Sequence, residues 1–162
     1  MGVRQLKIIF VLIIALMCLA YATQNVVNLD AAYQSFVYVM GGADHAVYQA
    51  SFMPAITSPA LIWPALILVV GCEFLAGLLA AKGAVSMWSA RNASAEEFKR
   101  SKKFALLGSG LGIIVWMGFF GVFSGAFFQS WQTTAGALSL EGAFQYSVSC
   151  AIVFIIVNMD DA

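Results

Sequence analysis

Residues 8–81 and 104–162 of this chain contain no lysine or arginine. Only 10% of the 162 residues are charged, 62% are hydrophobic, and mean hydropathy is +0.89. A soluble domain is excluded, because so little charge cannot hold so much apolar surface in water. No basic stripe is present to meet phosphates, so nucleic acid is excluded as a partner. Histidine occurs once, as His45, and the three cysteines, Cys18, Cys72 and Cys150, form no C-x-x-C or His/Cys cluster. Haem held by two histidines is therefore impossible within the chain, and zinc would need ligands from outside it. No metal site or cofactor is expected. No nucleophile–base pair stands out either, so the chain does not read as an enzyme.

What fills the sequence is long apolar runs. Four are expected to span a bilayer, at about 8–27, 60–81, 104–128 and 142–158, since a spanning helix needs about 20 residues. The fold class is all-α, an integral membrane four-helix bundle in a single domain covering residues 1–162. A rival reading exists for the first run: Arg4, Lys7, the apolar core and Ala20-Tyr21-Ala22 together resemble a cleavable signal peptide over residues 1–22.

Four spans place the N-terminus, the 82–103 loop and the C-terminus on one side, and all eight basic residues fall there. The opposite loops, about 28–59 and 129–141, carry acids and no base. The positive-inside rule then puts both termini in the cytoplasm. Lys99, Arg100, Lys102 and Lys103 are expected at headgroup level, so anionic lipid is the expected partner on that face. Asp160 and Asp161, at the end of the fourth span, are expected to meet this cluster as screened surface pairs.

The loops carry local signals. Tyr33, Phe36, Val37 and Met40 fall at i, i+3, i+4, i+7 and predict a short amphipathic helix in the outer loop, ended by Gly41-Gly42. A further short turn of helix is expected after Asp44, through Tyr48 to Met53, before Pro54. In the cytoplasmic loop, Ser94-Ala95-Glu96-Glu97 fits a capping box, so the third helix is expected to start near Ala95 and run on into the membrane.

Two features within the spans bear on function. The third span carries Gly108-x-x-x-Gly112 and Gly121-x-x-x-Gly125, with Gly118 extending the second pair. Small residues at this spacing let helices approach closely. At the α-helical repeat, Gly118, Gly121 and Gly125 share one face and Gly108 and Gly112 another, suiting two different neighbours. Gly77 lies on a similar strip of the second span. Packing within the bundle, a second copy of the chain, and another membrane protein are the three uses such faces have.

The other feature is Glu73, near the centre of the second span with no basic residue in any span to offset it. Charging it at mid-bilayer costs about 2.5–3.5 kcal/mol on insertion scales. Ser109, Trp116, Ser147 and Ser149 are its candidate hydrogen-bond partners, and Glu73, Ser109, Trp116 and Ser149 make the candidate polar site. Two readings stand: a protonated acid that bonds helix to helix, or a site for a proton, a cation or a quinone.

Several short motifs occur in a fixed order. Ser58-Pro59-Ala60-Leu61 leads into the span with Glu73; Trp116-Met117-Gly118-Phe119 precedes Gln129-Ser130-Trp131-Gln132; Val157-Asn158-Met159-Asp160 closes the chain. In that order the chain resembles the bacterial family labelled "predicted small integral membrane protein", domain of unknown function 2165. The resemblance implies a bacterial inner-membrane protein of four spans and brings no activity with it. The family pattern usually carries an acid in the stretch matching Ser124-Gly125-Ala126-Phe127, and this chain has none there. A two-carboxylate mechanism is therefore not carried over. The residues favour an accessory or assembly subunit that acts through helix packing, with a small transporter or proton/cation conductor centred on Glu73 as the rival.

Overall fold

The computed structural model describes residues 2–161, and its regular structure is all helical, with no strand among them. Four helices are long and apolar enough to cross a membrane: Val3–Val27, Pro59–Ser89, Ala95–Phe127 and Thr134–Asn158. We number the α-helices α1 (Val3–Val27), α2 (Leu29–Met40), α3 (Pro59–Ser89), α4 (Ala95–Ser101), α5 (Lys103–Ile113) and α6 (Thr134–Asn158). Wide exposed faces of Leu12, Ile13, Leu16, Leu78, Ile152 and Ile155 ring the bundle. Such a belt suits hydrocarbon and not water.

The local start signals explain the helix ends. Ser58 precedes α3, whose first residue is Pro59, where the missing N–H costs nothing. Ser94 Oγ accepts from Glu97 N at 3.3 Å, and Glu97 Oε2 accepts from Ser94 N at 3.3 Å, closing the expected capping box of α4. Thr133 Oγ1 accepts from Gly136 N at 3.0 Å and starts α6 eight residues earlier than the apolar run alone indicated.

α2 does not lie apart from the bundle. The chain bends at Asn28 and α2 runs back beside the first turns of α3: Tyr33 stacks on Trp63 with ring centroids 4.6 Å apart, and Ile56 N donates to Met40 O at 2.8 Å. After it, Tyr48–Met53 is not helical. Gln132 supplies the reason: its Oε1 accepts from Val47 N at 2.9 Å and Tyr48 N at 2.6 Å, while Nε2 donates to Tyr48 O at 3.3 Å. Backbone groups bonded outward in this way cannot close a helical turn. The segment is a strap pinned across the end of the bundle, with Tyr48 edge-on to Trp131 and Phe52 edge-on to Phe127.

The third span departs most from expectation. Beyond Ile113 the α-helix gives way to a π-helix over Ile114–Phe127. π-Helices bond i to i+5 and usually occur as single turns, often at functional sites. The wider winding moves each side chain off its α-helical azimuth, so Gly118, Gly121 and Gly125 do not share one face.

Candidate functional site

Glu73 lies close to the middle of α3 and is 2% exposed. Its partner is Asn25, whose Nδ2 donates to Glu73 Oε2 at 2.9 Å. Asn25 continues the inward line of Cys18 and Ala22 on α1, both fully buried, at i, i+4 and i+7. That spacing was the available signal. It is easily passed over because Asn25 lies at the polar tail of the first apolar run, past the stretch that identifies the span.

The structure does not gather the four polar candidates into one site. Ser149 is exposed and its Oγ donates to Gln145 O at 2.9 Å, on its own helix. Ser147 is buried and bonds Phe144 O at 2.8 Å. Ser109 is 1% exposed, and its Oγ has no hydrogen-bond partner among the described residues. Trp116 packs edge-on against Tyr146, centroids 5.6 Å apart, and the Tyr146 hydroxyl meets that of Tyr21 from α1. Glu73 therefore sits in the α1–α3 seam with Asn25, and Trp116 belongs to a separate aromatic cluster with Tyr146. Among the described residues, no group of three or more His, Cys, Asp or Glu is arranged to hold a metal.

The glycines divide by what a side chain would meet. At Gly77 a Cβ would stand 2.6 Å from Leu19 Cγ of α1. At Gly108 it would lie 2.5 Å from Ala80 N and 2.8 Å from Ala76 O of α3, and at Gly112 2.8 Å from Cys150 Sγ of α6. Gly125 faces Leu140 of α6 at 3.3 Å. Gly118 and Gly121 are different: the nearest atoms, at 3.8 and 3.9 Å, belong to their own helix. Beside Gly121 runs a groove of about 450 Å³ between the π-helix and α6, bordered by Trp116, Met117, Gly121, Gly125, Trp131 and Phe144.

At the basic end, charge is drawn inside. Lys102 is 2% exposed and turns inward: with Lys7 it closes on the Asp161 carboxylate, Lys7 Nζ at 2.9 Å from Oδ1 and Lys102 Nζ against Oδ2. Both lysines also donate to Met159 O, at 2.7 and 2.8 Å. Burial alone would raise the Asp161 carboxyl; hydrogen bonds and charge from Lys102 and Lys7 outweigh it and hold the group below its usual value. Asp161 is thus a buried clamp and not the screened surface contact its position suggested. Its neighbour Asp160 meets Lys99 at 3.2 Å in the open, and Arg100 pairs with Glu96 at 3.2 Å within α4. Lys99, Arg100 and Lys103 remain exposed.

No curated protein and no solved structure matches the chain. Residues 3–160 match the family described as predicted small integral membrane protein, domain of unknown function 2165. That match covers nearly the whole bundle, from the first turn of α1 to the residue before the Asp161 clamp, and the chain belongs to this family.

Proposed function

We propose that the protein is a non-enzymatic interaction subunit of the bacterial inner membrane, which docks another membrane protein against the outward face of its π-helix. Both termini lie in the cytoplasm in this reading, because every basic residue is at one end of the bundle. The observation that carries the proposal is the division of the glycines. Gly77, Gly108 and Gly112 are closed against neighbouring helices and Gly125 packs on Leu140 of α6, whereas a Cβ at Gly118 or Gly121 would meet no atom of another helix within 4 Å, and Gly121 borders the open groove. Helix association in lipid depends on close van der Waals contact, so glycine surface that no neighbouring helix covers is left for a partner.

The test is crosslinking in native membranes from a photoreactive residue at Met117, with co-purification. A discrete adduct is expected, and Gly121→Leu is expected to abolish it while leaving thermal stability within about 0.5 kcal/mol of wild type. An adduct that survives Gly121→Leu, or labelling of lipid alone, overturns the reading.

A second reading, conduction of protons or cations at Glu73, is favoured by one observation: a buried acid whose hydrogen-bond partner is a neutral amide. Apolar side chains of Ile14, Val11, Phe98, Met87 and Val157 lie in the core on the basic side and weigh against a continuous path. In proteoliposomes, Glu73→Gln keeps the hydrogen bond to Asn25 and removes the titrating group. Equal flux from both proteins is the expected result, and a large loss of flux in the variant would establish conduction instead.

A further inference from the structure

On the opposite side of the π-helix from the glycine groove lies a second cavity, of about 270 Å³, enclosed by α2, α3, the π-helix and α6. Phe36 and Val39 of α2 form one wall, Ala65 and Leu68 of α3 another, and Phe120 and Phe123 of the π-helix a third. No charged residue lines it. Its polar side chains are Ser35, Ser124 and Ser139, and two are already engaged: Ser35 Oγ donates to Ala31 O at 2.9 Å, and Ser124 Oγ bonds Ser130 Oγ at 2.7 Å.

A buried water needs two to four polar partners, and apolar cavities of about 150 Å³ stay dry yet take up small hydrocarbons. This cavity is larger than that and has little to offer water. Leu68 and Phe123, 54% and 48% exposed, stand at its edge on surfaces that face the bilayer. The medium at that edge is hydrocarbon. The strap held by Gln132 crosses the same end of the bundle as these walls, with Phe52 set against Phe127.

We propose that this cavity is a binding site for a single hydrocarbon chain drawn from the bilayer, seated among Phe36, Phe120 and Phe123 and entering past Leu68. The site is independent of the glycine groove and of any protein partner. An acyl chain of a phospholipid and an isoprenoid tail share the required chemistry, a flexible apolar chain with no charge along it.

The experiment uses the full chain in vesicles of phosphatidylethanolamine and phosphatidylglycerol containing a phospholipid with a diazirine near the end of one acyl chain. After photolysis, labelling along Phe119–Phe128 is expected to exceed that along the exposed stretch Leu12–Leu16 by about tenfold. Ala65→Phe, which fills the cavity from α3, is expected to bring the two stretches level; Ala65→Leu serves the same purpose with a smaller side chain should the phenylalanine disturb folding. A long-chain fatty acid that competes names an acyl chain as the occupant, and a polyprenol that competes names an isoprenoid; either result supports the site. Equal labelling of the two stretches in the wild type, or labelling unchanged in both variants, overturns it.

Discussion

Asp161→Asn is expected to destabilise the protein by about 3–5 kcal/mol, the usual cost of removing one partner from a buried ion pair. Two lysines would then be left with one uncharged amide between them, in a place where Lys7, Lys102 and the Asp161 side chain are each about 3% exposed. The measurement is thermal unfolding in detergent beside Asp160→Asn. Asp160 and Lys99 form their pair with side chains 87% and 64% exposed, and such pairs contribute about 0–1 kcal/mol. Equal shifts for the two variants would show that the Asp161 clamp holds nothing.

The same clamp has a pH signature. The Asp161 carboxyl is held below its usual value in the folded state, so its contribution is fully present above the ordinary carboxylate range. It is lost as pH falls through the lowered folded value, because the unfolded state then binds the proton more readily. Wild-type protein is therefore expected to lose stability more steeply on acidification than Asp161→Asn, and the two curves should converge at low pH.

The second large effect is expected at Gly108. Gly108→Ala places a methyl group 2.5 Å from Ala80 N and 2.8 Å from Ala76 O, both backbone atoms of a helix that cannot move aside alone. Overpacking of this kind costs about 1–3 kcal/mol, and the larger Gly108→Leu should exceed that by forcing α5 away from α3. Gly118→Ala is the matched control, since only an atom of its own helix lies near, at 3.8 Å. It is expected to be neutral or slightly stabilising, because alanine restricts the unfolded chain. Unfolding midpoints of the two alanine variants within error of each other would refute the assignment of Gly108 to the α3–α5 contact.

These contrasts mark where the sequence stops being sufficient. Gly108 and Gly118 belong to the same kind of small-residue pattern and look alike in the chain, yet one meets the backbone of α3 and the other meets no atom of another helix within 4 Å. Asp160 and Asp161 are adjacent and chemically the same, yet one is at the surface and the other is enclosed by two lysines. Asn25, at the end of α1, gave little sign that it would be the partner of Glu73 on α3, because sequence distance carries no information about which faces of two helices meet.

Composition and periodicity alone determine the membrane class, the four apolar spans and the helix starts at Ser58 and Ser94. Each depends on residues near in sequence and on their transfer into hydrocarbon. The absence of lysine and arginine from 8–81 and 104–162 also places every base at one end, before any coordinates are known. Only the tertiary structure decides how those bases are used: Lys99 and Arg100 stay in the open, while Lys7 and Lys102 turn inward onto Asp161. It also decides that the third span widens into a π-helix with a groove on one side and a cavity on the other. The physical reason is the same in each case. Hydropathy measures what a residue loses on leaving water, whereas partners, windings and cavities depend on which helix arrives opposite and how closely its backbone can approach.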